Sequence, residues 1–125
     1  MARAARAAAS ADLLLAAGDA EGACNRAYYA MFDAARAALV AADAPVPAEI
    51  ARTHGGLISG FSLHLVKTGR VGMELGRSLN RAAELRLAAD YRGEPIEPAN
   101  AAWAVRQARE FVAAVAAAFF GEGHP

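Results

Sequence analysis

The sequence predicts an all-α fold, a four- to five-helix antiparallel up-and-down bundle. Three observations favour this class: alanine is abundant, β-branched residues are sparse, and apolar residues recur three and four positions apart. Alanine is the strongest helix former, whereas β-branched side chains are typical of strands. A chain of 125 residues has the length for one hydrophobic core, so we expect a single helical domain over residues 1–125.

The first two helices are predicted from their caps and their apolar spacing. The first covers Arg3–Ala17 and ends at Gly18, because glycine takes the left-handed cap conformation without steric cost. Asp19 then caps a second helix that runs to about Ala42. One face of this second helix is apolar and is predicted to lie in the core. Its residues are Cys24, Tyr28, Phe32, Ala35 and Leu39.

A second, polar face on the same helix points to a partner. It carries Arg26, Tyr29, Asp33 and Arg36, again at helical spacing. In a bundle this small, such a second helix face has no packing partner within the chain. A symmetric dimer is the commonest way to bury a face of this kind. We therefore predict a homodimer.

Three further helices follow, separated by prolines and glycines. Asp43–Pro47 holds two prolines and is predicted to be a loop. A third helix over Glu49–Lys67 contains three glycines, which indicate a delayed start at His54 or a close backbone approach. A fourth helix spans Val71 to about Tyr91, and a fifth begins near Pro98 with an apolar stripe.

Charge, cysteine and histidine content exclude several classes of site. Thirteen basic side chains balance thirteen acidic ones, so no overall field attracts nucleic acid and any RNA contact must be local. The single cysteine, Cys24, has no partner for a disulfide or a metal pair. His54 and His64 lie ten residues apart, without a metal-ligand spacing, and His124 lies near the end of the chain. We expect neither a metal nor a cofactor.

The most apolar stretch of the chain is too short to cross a membrane. Phe111–Phe120 has about half the length that a membrane-spanning helix needs. The first residues are rich in alanine and lack the apolar run of a signal peptide. We predict a cytoplasmic protein with no membrane partner.

The fourth helix combines charges with an apolar stripe. At about 100° per residue one band contains Leu75, Leu79, Ala82, Arg86 and Asp90. Arg86 and Asp90 are four residues apart and can pair on the helix surface. A buried pair of this kind marks a functional site, a dimer interface or a fixed helix register. The alternative is an ordinary salt bridge at the end of the helix, where the chain leaves the core. Both interpretations stay open at this point.

A different face of the fourth helix aligns polar side chains. Arg77, Glu84 and Tyr91 follow at seven-residue intervals, with Asn80 beside them. This pattern is typical of a polar groove and equally of an ordinary solvated face.

Three segments are specific in combination and in this order. They are RAYYAMF at residues 26–32, H-x9-H-x-V-K-T-G at residues 54–69 and R-x3-D-Y at residues 86–91. Together they resemble the HEPN domain, specifically a small stand-alone HEPN group long described as an uncharacterised protein family. The resemblance covers residues 11–116.

The resemblance implies a four- or five-helix bundle that dimerises and is often encoded beside a minimal nucleotidyltransferase. It also implies RNA chemistry, since many HEPN proteins are metal-independent RNases whose signature is an arginine followed, after four to six residues, by a histidine. That histidine assists proton transfer while the arginine stabilises the charged phosphorane-like state. Here Arg86 is followed after four residues by Tyr91, a phenol that titrates near pH 10. The RNase motif is absent from this sequence.

The leading hypothesis for function is a homodimeric HEPN-type binding module. Its partner would be a minimal nucleotidyltransferase in a toxin–antitoxin-like pair, and its ligand RNA or a nucleotide in the dimer cleft. Arginines would hold phosphate and tyrosines would stack on a base. In a variant of this hypothesis the partner transfers a nucleotidyl group to Tyr91. The candidate cleft residues are Arg26, Tyr29, Asp33, His54, Arg86, Asp90 and Tyr91.

Two other hypotheses remain. One is a metal-independent RNase toxin in which Arg86 and Asp90 cleave RNA, with His54 brought in by folding. The other is a structural adaptor without a ligand, in which the Arg86 and Asp90 pair only fixes the dimer.

Overall fold

A computed structural model of the chain describes residues 1–121 and contains the helices that the apolar spacing predicts. His124 and the other residues beyond 121 that the single-domain prediction covers lie outside the described residues. The helices are α1 (Ala2–Ala16), α2 (Ala20–Ala41), α3 (Ala48–Ala51), α4 (His54–Phe61), α5 (Met73–Arg92) and α6 (Pro98–Phe119). Over the described range there is no strand, and the predicted all-α bundle is confirmed. None of the helices in this part of the chain has the length and apolarity needed to cross a membrane.

The caps that the sequence indicates between α1 and α2 are present. Gly18 has a φ of +85°, the left-handed conformation that ends α1. The Asp19 side chain accepts a hydrogen bond from the backbone N–H of Gly22, at 2.8 Å, and so caps α2. Pro98 lies in the first turn of α6, where its missing N–H costs no intrahelical hydrogen bond.

The predicted third helix is divided into a single turn, α3, and the separate helix α4. Thr53 makes this break: its hydroxyl donates to the Ile50 carbonyl at 2.8 Å and accepts from the Gly56 N–H at 3.0 Å. This N-cap confirms the delayed start at His54. Instead of continuing as a regular α-helix, α4 ends in one π-helical turn over Ser62–Val66.

α2 is the central helix of the bundle. It packs mainly against α1 and α6, while α4 and α5 cover the side that carries Tyr28. The apolar face predicted for α2 is buried throughout, and Phe61 of α4 packs against Phe111 of α6. α5 runs antiparallel to α6, so its last turns reach the N-terminal half of α2. This arrangement brings Arg86 next to Tyr28 and Tyr29.

Candidate functional site

Arg86 is the centre of the candidate site. Its side chain is only 19% exposed, and its guanidinium carbon lies 5.0 Å from the Tyr29 ring centre and 5.7 Å from that of Tyr28. Nη2 pairs with Asp90 Oδ2 at 3.1 Å. Nε is buried and has no hydrogen-bond partner within residues 1–121. The guanidinium is thus held by two aromatic rings and one carboxylate, and its buried Nε is a donor without a partner among the described residues.

His54 joins this site from the first turn of α4. Its Nδ1 lies 2.6 Å from the Tyr28 hydroxyl, a hydrogen bond between residues that are far apart in the sequence. The His54 ring also packs against Tyr29 and Phe32, with centre distances of 6.3 and 5.4 Å. Because Thr53 caps α4 one residue earlier, the position of His54 is set by the local backbone.

Two small cavities meet at Arg86. The first, of about 140 Å³, is lined almost entirely by carbon and lies between α2, α4 and α5. The second, of about 50 Å³, is more polar and lies between α2, α5 and the chain before α6. Tyr28, His54, Ile58 and Leu87 line the first, and Glu21, Asn25 and Asp90 line the second. An apolar cavity and a polar cavity are thus joined where Arg86 lies.

Tyr28 is buried and His54 is half-buried, and this position sets their protonation. Burial raises the pKa of the Tyr28 hydroxyl to about 12, although the Arg86 charge acts in the opposite direction. Burial lowers the pKa of His54, the Arg86 charge lowers it further, and the Asp90 carboxylate partly opposes them. His54 is therefore neutral near pH 7 and holds Tyr28 through a neutral hydrogen bond.

We expect acid to destabilise the chain through His54. In the unfolded chain the histidine gains a proton at about pH 6.5, whereas in the folded chain its lowered pKa delays protonation to lower pH. Between these two pKa values the unfolded state therefore binds more protons than the folded state. Stability should fall as the pH drops from about 7 to 5. His54→Gln should reduce this fall in the melting temperature. His64→Gln, which removes a histidine without a bond to Tyr28, should retain it, and equal slopes in wild type and His54→Gln would contradict the assignment.

Cys24 lies beside the polar cavity and is shielded from solvent. The Cys24 residue is 2% exposed, and burial raises the pKa of its thiol to about 11. Since the thiolate is the reactive form, we expect native protein at about pH 8 to react with Ellman's reagent far more slowly than protein unfolded in guanidinium. A native rate equal to the unfolded rate would show that the α2–α5 contact opens freely.

The structure brings together four of the seven residues predicted for the cleft: Tyr29, His54, Arg86 and Asp90. Arg26 and Asp33 lie on the flank of α2 beyond Tyr29, and Asp33 pairs with Arg36 at 3.6 Å. Tyr91 is 80% exposed and lies roughly 140° around α5 from Arg86.

Tyr28 is the site residue whose sequence pattern predicted a place in the core alone. The assignment to the core is correct, since Tyr28 is 1% exposed. Its hydroxyl was the missed signal, because a buried tyrosine needs a hydrogen-bond partner. His54 is that partner.

The fold and the site define an all-α bundle with an arginine-centred aromatic site. No cluster of three histidine, cysteine or acidic residues able to hold a metal occurs among residues 1–121. The chain belongs to the HEPN domain family, whose model matches residues 1–118. The resemblance seen in the three sequence segments is thereby confirmed, and family membership supports a nucleotide- or RNA-related module in general terms.

Two relatives are similar to the chain over part of their length. A UPF0332 protein of Gloeobacter violaceus is 42% identical over 69 residues, which is 55% of this chain and 51% of that protein. A UPF0332 protein of Thermotoga maritima is 40% identical over 73 residues, 58% of this chain and 51% of that protein. The matched region spans about half the length of these relatives. No solved structure matches the chain.

Proposed function

We propose that the chain is a cytoplasmic, homodimeric binding module that takes RNA or a nucleotide at Arg86. The proposal rests on the Arg86 guanidinium. It packs against Tyr28 and Tyr29, yet its buried Nε has no hydrogen-bond partner within the described residues. Leaving a buried donor without a hydrogen bond costs about 1–3 kcal/mol. A phosphate oxygen would satisfy that donor and offset the cost once the side chains that cover Nε move aside.

The two cavities at Arg86 suit the two parts of a nucleotide. A base fits against Tyr28 and His54 in the carbon-lined cavity, where stacking tolerates any base. The phosphate would face Arg86 in the polar cavity, which Asn25 lines together with the carboxylates of Glu21 and Asp90. Asp90 holds one edge of the guanidinium and repels a phosphate, so it limits affinity for anions in this proposal.

A direct binding experiment tests the proposal. The probe is a fluorescein-labelled oligouridylate of about 12 nucleotides, followed by fluorescence anisotropy and displaced with ATP. We expect a Kd on the order of 10 μM at low salt, weakening as salt is raised, because phosphate contacts release counterions. No anisotropy change up to about 100 μM protein would overturn the proposal.

The proposal includes two partners: a second copy of the chain, which forms the homodimer, and a minimal nucleotidyltransferase. A second copy of the chain would close the cleft over Arg86. Sedimentation that shows only monomer at micromolar concentration would contradict the homodimer.

Tyr91, at 80% exposure, is accessible to a partner enzyme. Its phenolic oxygen would attack the α-phosphate of ATP, form a phosphodiester, release pyrophosphate and lose its proton to solvent. Mass spectrometry should then show one added AMP on the wild type and none on Tyr91→Phe.

A second candidate, a metal-independent RNase, is favoured by one observation. His54, a neutral base beside Arg86, lines the same cavity and partly replaces the histidine that is missing after Arg86 in the sequence. It would accept the 2′-hydroxyl proton while Arg86 stabilises the phosphorane charge. Cleavage of labelled RNA, absent for a 2′-deoxy substrate and lost in His54→Ala, would support it. Intact RNA after long incubation with the dimer, and growth unaffected by expression, would exclude it.

A further inference from the structure

Two further cavities lie away from Arg86, near the C-terminal end of α2. One, of about 330 Å³, opens toward α3, and the other, of about 550 Å³, opens toward the start of α1. They are adjacent, since Arg36 and Val40 line both. We call this surface the basic groove. It is defined by Arg3, Arg6, Arg36, Val40, Val46 and Arg52.

Positive charge is concentrated in the basic groove. Among residues 1–121, four arginines and one carboxylate, Asp33, line it, although the whole chain has no net charge. Arg36 lies 3.6 Å from Asp33. Within residues 1–121 Arg3, Arg6 and Arg52 form no ion pair, so their charges are available to an anionic partner.

Two features of the groove are unfavourable for the isolated chain. Arg3 lies in the first turn of α1, which holds no acidic residue, although the positive end of a helix favours anions and not cations. Val40 is 75% exposed between the two cavities, and most of the lining around it is apolar. Both features become favourable when an acidic and apolar surface covers them.

We propose that the basic groove binds an acidic amphipathic helix of a partner protein. Apolar side chains of such a helix would enter the two cavities on either side of Val40, and its carboxylates would pair with the arginines at the rim. The α2 part of the groove, from Asp33 to Val40, rises about 10 Å, which corresponds to two helical turns of contact. RNA fits less well, because phosphates would cover the arginines and leave the apolar lining without contacts.

The test uses a synthetic, fluorescein-labelled peptide of about 18 residues with leucines at helical spacing and glutamates beside them. Its controls are a peptide with lysine for glutamate and a peptide of the same composition in scrambled order. We expect micromolar binding of the first peptide and at least tenfold weaker binding of both controls. Equal binding of the amphipathic and scrambled peptides would overturn the proposal, since charge alone would then explain the affinity.

Matched charge reversals locate the binding surface. The double variant Arg3→Glu with Arg52→Glu should weaken peptide binding at least tenfold. The control is the double variant Arg77→Glu with Arg106→Glu, which changes the net charge equally at exposed sites outside the groove. It should leave peptide binding unchanged. Far-ultraviolet circular dichroism checks that both variants fold. Equal losses in the two variants would refute the groove. If labelled oligouridylate showed the selective loss and the peptide did not, the groove would be a nucleic-acid surface and the proposal would be wrong.

Discussion

Arg86→Met should weaken RNA binding about 10- to 100-fold while the protein stays folded. Hydrogen bonds to a charged group contribute about 1.5–3 kcal/mol, and each factor of ten in Kd corresponds to about 1.4 kcal/mol. Methionine retains an unbranched apolar stem against Tyr28 and Tyr29, so most of the packing around the site is kept. The measurement is anisotropy with the labelled oligouridylate, with thermal melting to follow folding.

Two matched variants separate a binding role of Arg86 from a structural one. Arg77→Met removes an exposed arginine from the same helix and should leave Kd unchanged. Asp90→Asn also breaks the 3.1 Å ion pair, but it removes a charge that repels phosphate, so binding should tighten. If Asp90→Asn weakened binding as much as Arg86→Met, the pair would serve only to fix the structure, as the adaptor hypothesis holds.

Gly56→Ala should destabilise the chain by about 1–3 kcal/mol, the usual cost of forcing extra atoms into a packed site. A Cβ at this position would collide with the Ile50 carbonyl oxygen and lie 2.6 Å from the Thr53 hydroxyl oxygen. Both groups belong to the cap that starts α4, and backbone atoms cannot move away as a flexible side chain would. Urea or thermal unfolding gives the free energy of unfolding for the comparison.

The neighbouring glycine supplies the control. A Cβ on Gly55 would meet no atom within 4 Å, so Gly55→Ala should stabilise the chain by about 0.4–1 kcal/mol through the reduced entropy of the unfolded state. Two adjacent glycine-to-alanine changes are thus expected to act in opposite directions. Equal effects of the two changes would contradict the close approach at the Thr53 cap.

Most of the fold could be predicted because local signals determine it. Gly18 and Asp19 mark the boundary between α1 and α2 by their own backbone and side-chain chemistry, and both act as predicted. The glycines after His54 indicated the break before α4 without showing its cause. The cause is the Thr53 cap, whose hydrogen bonds hold Gly56 close to the Ile50 carbonyl in the folded chain.

The site could be predicted only in part, because its contacts join distant residues. Arg86 and Asp90 were visible as a pair, since four residues on one helix fix their distance. The bond between Tyr28 and His54 spans 26 positions and depends on how α4 packs on α2. Tyr91 was grouped with Arg86 by the order of the family motif, but helical geometry places it on another face of α5.

The side-chain nitrogen of Arg86 offers the most direct test that this guanidinium contacts the ligand. Nuclear magnetic resonance resolves arginine Nε–Hε groups, and oligouridylate would be titrated into labelled protein. We expect the Arg86 Nε–Hε signal to shift, because this donor, unpaired within residues 1–121, gains a phosphate acceptor, while the Arg77 signal stays in place. An unchanged Arg86 signal at saturating RNA would contradict the assignment and place the bound RNA elsewhere on the protein.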